Sequence, residues 1–387
     1  MQRASLYPIK KASATLMTPQ PASTEFTGVL LVDHTSQPGG AELALPRIAR
    51  HSRLSWKFVF LEPLSEELAF DEDARVLAPQ TRRGLIGQAL FLRRALRANA
   101  EHTVASNTLR AAFLVTLLKP HGQIHVQLLR DGVSPDSLTR LKRLVANYAF
   151  GHVTKILPNS NWTGRSVPSR FQALVSPPIY SPSGTDRVRA SDQDPIYDGE
   201  TLRLLSLSRV VEWKGLHIVL DALRFLADEV PPDRIELTVA GGALMGDEAY
   251  ADRVRSAAAA LPFRVSFLPH QRDVVPLLDR HDVLIHASTR PEPFGQVIVQ
   301  GLSRGLAVVA SRGGGPDELI QDGETGLLHE PGNARSLAAS ILRLRTEPLT
   351  RARIAEAGAR AAEAFSDGRC VALLDQELMG AMSTNRR

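Results

Sequence analysis

The chain has 387 residues, enough for two domains of ordinary size with a large core. Its single cysteine, Cys370, excludes an internal disulfide and fits a reducing cytosol, and no apolar run reaches the about 18 residues of a spanning helix. The net charge is +5, but only 5% of the residues are aromatic, so no nucleic-acid partner is expected. Residues 1–25 contain Lys10 and Lys11 without an apolar segment and are expected to form a disordered tail rather than a signal peptide.

Apolar runs alternate with helical patterns through the first half of the chain. This alternation predicts a parallel sheet covered by helices, and it assigns residues 26–180 to an N-terminal Rossmann-like domain. The predicted strands are 27–33, 56–61, 123–129 and 153–157, and the predicted helices lie near 41–52, 82–98, 108–118 and 136–149.

A change of composition then marks a boundary between domains. Four prolines lie among Ser, Asp and Gly over residues 176–200, and we assign residues 181–200 to an interdomain linker. The alternation restarts in a second Rossmann-like domain, residues 201–365, followed by a helical pattern in the segment 366–387. The fold class is therefore α/β, with two parallel sheets and a cleft between the domains. The predicted strands are 201–207, 235–240, 264–268, 282–287 and 306–310.

The most informative segment is residues 290–300. It follows a buried apolar run and leads into a helical pattern at 295–304, so Glu292 lies beyond the carboxyl end of a strand, where open α/β sheets bind ligands. A carboxylate beside a helix start suits sugar hydroxyls. The alternative is an ordinary loop before a core helix.

A second polar group, Arg209 and Lys214, lies between a predicted strand and a helix at 216–227. Two cations there can neutralise a diphosphate leaving group. The chain has seven lysines, hence 46 − 7 = 39 arginines, and Lys214 is the only lysine after Lys155. Lysine gives a compact point charge where arginine gives a planar fork. The alternative is a solvated lysine at a helix start.

Several strands of the two domains end in turns rich in glycine. Gly39 and Gly40 follow the first strand, and such a pair lets a ligand approach the backbone closely. Gly241 ends one strand of the second domain, and Leu268 and His270 lie at the end of the next. Each of these is equally consistent with a plain turn.

The segment 290–300 resembles the E-x7-E signature of retaining GT-B glycosyltransferases, with Gln300 where that family has its second Glu. The spacing of Arg209 and Lys214 is similar to the family's Arg-x4-Lys pattern. The resemblance implies a UDP- or GDP-sugar donor bound mainly by the second domain, with residue 300 at the ribose. The donor-binding residues implied are Gly39, Gly40, Gly241, Leu268, His270, Pro293, Phe294, Gly295 and Gln300.

The same resemblance assigns the remaining site residues. Asn107 stands where family members often have a functional histidine, and it joins Glu292, Arg209 and Lys214 as a catalytic candidate. Arg130 and Asp131 are expected to bind the acceptor. No pair of histidines has the spacing of a metal site, so no essential metal or other cofactor is expected. The last helix is expected to cross back onto the first domain.

The resemblance implies a cytoplasmic, bacterial enzyme that transfers a hexosyl or N-acetylhexosaminyl group with retention, in polysaccharide, glycolipid or natural-product biosynthesis. The acceptor would be a sugar, a lipid-linked molecule or a natural product. The alternatives are a pseudo-glycosyltransferase that couples cyclitols and a nucleotide-sugar-binding protein without turnover. The arginine-rich helix near 82–98 either touches an anionic membrane or, the favoured interpretation, faces the core with a solvated basic side.

Overall fold

The computed structural model describes residues 28–37, 39–134, 137–185, 200–242 and 247–384, so the predicted tail at 1–25 lies outside the described residues. Within these ranges, the N-terminal domain has six strands, β1 (Val29–Asp33), β2 (Trp56–Phe60), β3 (Arg75–Leu77), β4 (Thr103–Ser106), β5 (His125–Leu129) and β6 (Lys155–Pro158). Its helices are α1 (Gly40–His51), α2 (Leu85–Ala98), α3 (Leu109–Leu118), α4 (Arg140–Phe150) and α5 (Asn161–Ser166).

The N-terminal sheet is parallel, with the strand order β3-β2-β1-β4-β5-β6. Its central strands are continuous apolar runs because helices cover both faces, and all five residues of β1 are buried. The order reverses between β1 and β4, where Val29 lies opposite Trp56 on one side and Thr103 on the other. The loops after β1 and β4 therefore diverge and leave a crevice at the carboxyl end of the sheet.

The C-terminal domain repeats this plan. Its strands, within the described ranges, are β7 (Leu202–Leu207), β8 (Ile235–Ala240), β9 (Arg264–Leu268), β10 (Val283–His286), β11 (Ala307–Ser311) and β12 (Leu327–His329). Its helices are α6 (Leu216–Leu226), α7 (Glu248–Ala259), α8 (Val275–Leu278), α9 (Gln296–Ser303), α10 (Pro316–Leu319), α11 (Ala334–Thr346) and α12 (Pro348–Ala362).

The second sheet is also parallel, with the order β12-β11-β10-β7-β8-β9. Its strand order reverses between β7 and β10, so the crevice of this domain opens between the loops that follow these two strands. Those loops carry Arg209, Lys214 and Glu292. The topology alone thus brings the two polar segments together.

The final helix, α13 (Asp367–Thr384), returns to the N-terminal domain. Val371, Leu374 and Leu378 are buried in the same core cluster as the residues of β1 and β2. The Asp375 carboxylate accepts hydrogen bonds from the Ser52 hydroxyl (2.5 Å) and from the Arg53 backbone N–H (2.8 Å). The N-terminal domain is therefore completed by the C-terminal end of the described chain.

The predicted fold class, two Rossmann-like domains with parallel sheets, is confirmed. The predicted strands at 235–240 and 264–268 have the observed bounds, because polar or turn residues delimit each apolar run. The edge strands β3 and β12 and the central strand β4 were not predicted, since they have only three or four residues each and give no periodic signal. No helix in the described ranges is both long enough and apolar enough to span a bilayer.

Candidate active site

The carboxyl ends of the two sheets meet at one interdomain cleft. The C-terminal domain contributes the loops after β7 and β10, and the N-terminal domain contributes those after β1 and β5. At the contact, the side chain of Gln296 lies so close to Gly40 that a Cβ there would be 2.7 Å from the Gln296 Oε1 atom. Gly40 thus permits the two domains to approach each other closely in this structure.

Lys214 and Glu292 form a close ion pair in the C-terminal half of the cleft. Lys214 Nζ donates to Glu292 Oε2 at 2.5 Å, and the side chains are 15% and 13% exposed. Lys214 Nζ also lies 4.2 Å from the ring centroid of Trp213, a cation–π contact. The Trp213 carbonyl accepts the backbone N–H of Thr289 at 2.8 Å, which ties together the loops that carry the two charges.

The Glu292 carboxylate is ionised at neutral pH. Burial opposes its ionisation, but the charge of Lys214 and the hydrogen bond from His286 outweigh burial and hold the pKa of Glu292 well below its ordinary value. Ser288 Oγ also donates to Glu292 Oε2, at 3.0 Å. The site therefore presents a negative charge with a fixed set of partners.

The glycine-rich loop after β11 supports the backbone around Glu292. A Cβ at Gly314 would lie 2.1 Å from the Glu292 carbonyl oxygen, and one at Gly315 would lie 2.0 Å from that of Phe294. Gly315 donates its N–H to the Glu292 carbonyl at 2.8 Å, and Gly313 donates its own to Asp317 at 2.8 Å. These glycines hold the segment 292–294 by direct backbone packing.

Arg209 and Asp131 face each other across the cleft. Both are exposed, and the side chain of Arg209 has no hydrogen bond or ion pair with the described part of the chain, although its backbone carbonyl accepts from Ser208 Oγ. Desolvation within the cleft and then the charge of Glu292 raise the pKa of Asp131, while Arg209 acts in the opposite direction. Two charged groups of the C-terminal domain thus interact with Asp131, and a ligand between the domains would contact both sides.

Arg130 and Asn107 lie behind the N-terminal wall of the cleft. Asn107 is fully buried, donates to Asp33 at 2.7 Å and accepts from Arg130 Nε at 3.2 Å. Arg130 also donates to Ser181 Oγ at 2.9 Å, and burial lowers its pKa to about 10. The amide nitrogen and oxygen of Asn107 both hydrogen-bond to other side chains of the protein, so Asn107 supports the wall of the cleft.

Glu42, in the first turn of α1, is a buried carboxyl group on the N-terminal side of the cleft. Its side chain lies against the turn before the helix, since a Cβ at Gly39 would be 2.5 Å from Glu42 Oε2. Burial and then the charges of Asp33 and Asp131 raise its pKa to about 7. This side of the cleft therefore changes charge near neutral pH.

The candidates Gly241, Leu268 and His270 lie at the carboxyl ends of β8 and β9. Gly241 has φ +143°, and a Cβ there would lie 1.9 Å from the Ser208 carbonyl oxygen, so only glycine fits. Leu268 is half-buried at the end of β9. His270 Nε2 lies 3.3 Å from the carboxylate of Glu67 in the N-terminal domain. His270 thus bridges the two domains at the rim.

The candidates around α9 are buried or half-buried. Gly295 precedes the helix with φ +94°, and Pro293 is half-buried. Phe294 is 4% exposed, and its ring stacks on Tyr180 at 5.6 Å. Gln300 is 6% exposed, and its amide Nε2 donates to the Ser183 carbonyl at 2.8 Å. The Gln300 amide, which was expected at the ribose, therefore has its nitrogen bonded to the linker.

The described ranges contain no group of three or more His, Cys, Asp or Glu side chains arranged to hold a metal ion. The expected metal independence stays a prediction.

His286, which was not predicted from the sequence, lies directly behind Glu292. Its ring Nε2 is 3.3 Å from Glu292 Oε2 and 3.1 Å from Ser288 Oγ. A histidine at the end of an otherwise apolar, buried strand was the available signal, because a buried polar group requires a partner.

Comparison with known proteins agrees with this architecture. Residues 189–361 match the family described as glycosyl transferases group 1. The chain is 32% identical over 179 residues to the lipopolysaccharide core biosynthesis glycosyltransferase LpsE of Rhizobium meliloti, covering 46% of this chain and 49% of LpsE. It is 30% identical over 191 residues to the D-inositol 3-phosphate glycosyltransferase of Rhodococcus opacus, covering 48% and 42%. The chain thus spans about half the length of the curated relatives it matches.

Similarity to solved structures extends over nearly the whole chain. The structure of HepE from Anabaena in complex with UDP and glucose superposes with a TM-score of 0.77 at 26% identity, covering 92% of this chain and 99% of HepE. HepE was also solved with UDP-glucose. The two-domain arrangement described above is therefore the GT-B fold.

Proposed function

We propose that this chain, whose C-terminal domain matches the group 1 glycosyl transferases, transfers a sugar from a nucleotide-diphosphate sugar to an acceptor hydroxyl. The observation that carries the proposal is the Lys214–Glu292 pair at the point where the strand order of that domain reverses. A site with two cations and one fixed carboxylate can receive both halves of such a donor. The binding of UDP and glucose by HepE supports a UDP-sugar as the first donor to test.

The cations would bind the diphosphate. Lys214 has three N–H donors, of which one is directed at Glu292, so the others are available to a phosphate oxygen. Arg209 is exposed at the same end of the sheet. Charge neutralisation by groups already in place stabilises the diphosphate as it leaves, which is the main electrostatic requirement of the reaction.

Glu292 would hold the donor sugar, and Asp131 would contact the acceptor from the opposite wall. Arg130 and Asn107 would support Asp131 from behind, as their buried hydrogen bonds suggest. The resemblance to retaining enzymes supports retention of anomeric configuration, in which the leaving diphosphate assists the acceptor hydroxyl on the same face. We infer a hexosyl or N-acetylhexosaminyl group as the transferred sugar on the same ground.

The decisive experiment measures product formation and donor binding separately. The purified chain is incubated with UDP-glucose, UDP-N-acetylglucosamine or GDP-mannose and a panel of sugar and lipid-linked acceptors, and nucleoside diphosphate release is followed. Lys214→Ala should lower turnover by about 100-fold or more, the scale of one preorganised charge contact. Lys142→Ala, which removes an exposed lysine on α4, is the matched control. Donor binding without release in any combination would instead favour a binding protein, and equal turnover in Lys214→Ala and wild type would contradict the assignment.

We also propose that α2 contacts an anionic membrane surface. Leu85, Ile86 and Leu90 are 72%, 80% and 52% exposed, although Leu92 and Leu96 on the same helix are fully buried. Exposed arginines 82, 83, 93, 94 and 97 flank these side chains. An exposed apolar stripe beside cations fits the interface of an anionic bilayer. Wild type should sediment together with phosphatidylglycerol vesicles, and a smaller fraction of a Leu85→Ser/Ile86→Ser variant should do so. Equal fractions of the two proteins in the vesicle pellet would contradict the contact.

A further inference from the structure

The chain places a buried histidine, His286, immediately behind Glu292. The His286 side chain is 3% exposed and stands at the end of β10, whose other residues are apolar. Burial of an imidazole without partners is unfavourable, so its hydrogen bonds decide what it does.

Both ring nitrogens of His286 have partners. Nδ1 lies 3.4 Å from Ser311 Oγ, while Nε2 lies 3.1 Å from Ser288 Oγ and 3.3 Å from Glu292 Oε2. Since a carboxylate only accepts, the tautomer that satisfies Glu292 carries its proton on Nε2, and Nδ1 then accepts from the Ser311 hydroxyl. The ring is held by strand and loop hydroxyls in the orientation that faces Glu292.

The bonds to Glu292 are unequally divided between its two oxygens. Lys214 Nζ, Ser288 Oγ and His286 Nε2 all point to Oε2, at 2.5, 3.0 and 3.3 Å. Within the described ranges, no hydrogen bond to Oε1 is found. A carboxylate held through one oxygen has a fixed rotamer, and its other oxygen keeps its full capacity to accept from a ligand hydroxyl.

We propose that His286 is a positioning residue that holds Glu292 Oε2 and thereby directs Oε1 at the hydroxyls of the donor sugar. This inference rests on the proposed function, because the donor sugar is the ligand that Oε1 would accept from. It assigns His286 no contact with the nucleotide. Loss of the Nε2 donor should therefore weaken binding of the sugar part of the donor and leave the binding of nucleoside diphosphate unchanged.

Two amide substitutions separate this role from general packing. In His286→Gln the amide nitrogen can take the place of Nε2, whereas in His286→Asn the shorter amide reaches only the region of Nδ1, near Ser311. The dissociation constants of UDP and UDP-glucose are measured for each variant, with GDP and GDP-mannose as the parallel pair. His281→Gln is the control, because His281 is also buried and bonded through both nitrogens, to the Leu277 carbonyl and to Thr238.

We expect His286→Asn to weaken the nucleotide sugar about tenfold relative to its nucleoside diphosphate, the scale of one hydrogen bond, and His286→Gln to stay within about threefold of wild type. Turnover should follow the same order. An unchanged ratio in His286→Asn, or an equal loss in the Gln and Asn variants, would overturn the assignment while leaving the proposed function intact. Wild type that binds the diphosphates but neither nucleotide sugar would overturn both, and this result is distinct from the others.

Discussion

The ionisation of Glu42 leads to a prediction about stability. Its carboxyl group is 9% exposed, and burial and the charge of Asp33 raise its pKa from 4.5 to about 7. Glu42→Gln keeps the size of the side chain and removes the charge that the buried site disfavours. The substitution should therefore stabilise the folded chain, and the gain should depend on pH.

The magnitude follows from the two pKa values. Below about pH 4.5 the carboxyl is protonated in the folded and unfolded chain alike, so Glu42 causes no loss of stability. Between about pH 4.5 and pH 7 the unfolded chain releases this proton while the folded chain retains it, so the free energy of unfolding falls as the pH rises. Above about pH 7 both states are ionised, and the loss stays constant. A change of pKa from 4.5 to about 7 corresponds to a loss of about 3 kcal/mol, since a tenfold change in affinity is about 1.4 kcal/mol.

The assay is urea denaturation of wild type and Glu42→Gln at pH 5 and pH 8, with Glu324→Gln, an exposed carboxyl, as the control. The variant should exceed wild type by up to about 3 kcal/mol at pH 8 and by less than about 1 kcal/mol at pH 5. A gain of equal size at both pH values would refute the reasoning, and so would a loss of stability at pH 8.

Two further predictions concern contacts that join the domains. Gln300→Glu should lower the free energy of unfolding by about 2 kcal/mol and should not improve UDP affinity. The substitution replaces the amide that donates to the Ser183 carbonyl with a carboxylate, which can only accept. Tighter UDP binding without loss of stability would show that residue 300 contacts the ribose instead. Glu318→Ala should lower the melting temperature and enlarge the radius of gyration in solution scattering. The reason is that the Glu318 carboxylate accepts hydrogen bonds from the first two backbone N–H groups of α5, in the other domain, at 2.8 and 2.7 Å. An unchanged scattering curve would show that this contact does not hold the domains together.

The sequence sufficed to predict the fold class because most of its central strands are apolar runs with turn residues at their ends. It did not show the central strand β4, which has only four residues. It also selected Glu292, Arg209 and Lys214, since polar residues at the ends of parallel strands are brought to one edge. It did not show that Lys214 is paired with Glu292, because the two are 78 residues apart in the chain. Such partners are determined by strand order, which the alternation of elements leaves open.

The direction of a side chain was harder to predict than its position. Gln300 lies on the helix after Glu292 as expected, but its amide reaches the linker, since the linker carbonyl of Ser183 needs a donor in a buried place. Asn107 likewise lies at the end of β4, yet it bonds to Asp33 and Arg130 behind the cleft. Neither partner has a signal in the sequence, because both contacts are long-range.

The return of α13 to the N-terminal domain means that the polypeptide passes between the domains twice. The two passages lie side by side, because the Asp367 carboxylate, at the start of α13, accepts the backbone N–H groups of Ser183 at 2.6 Å and Gly184 at 3.0 Å. Two adjacent covalent connections define a hinge axis. They allow one domain to rotate about the line that they share, and they resist sliding or twisting of one domain against the other. We therefore expect any opening of the cleft to be a rotation about this line, which would bring Lys214, Glu292 and Asp131 back to the same relative positions when the cleft closes.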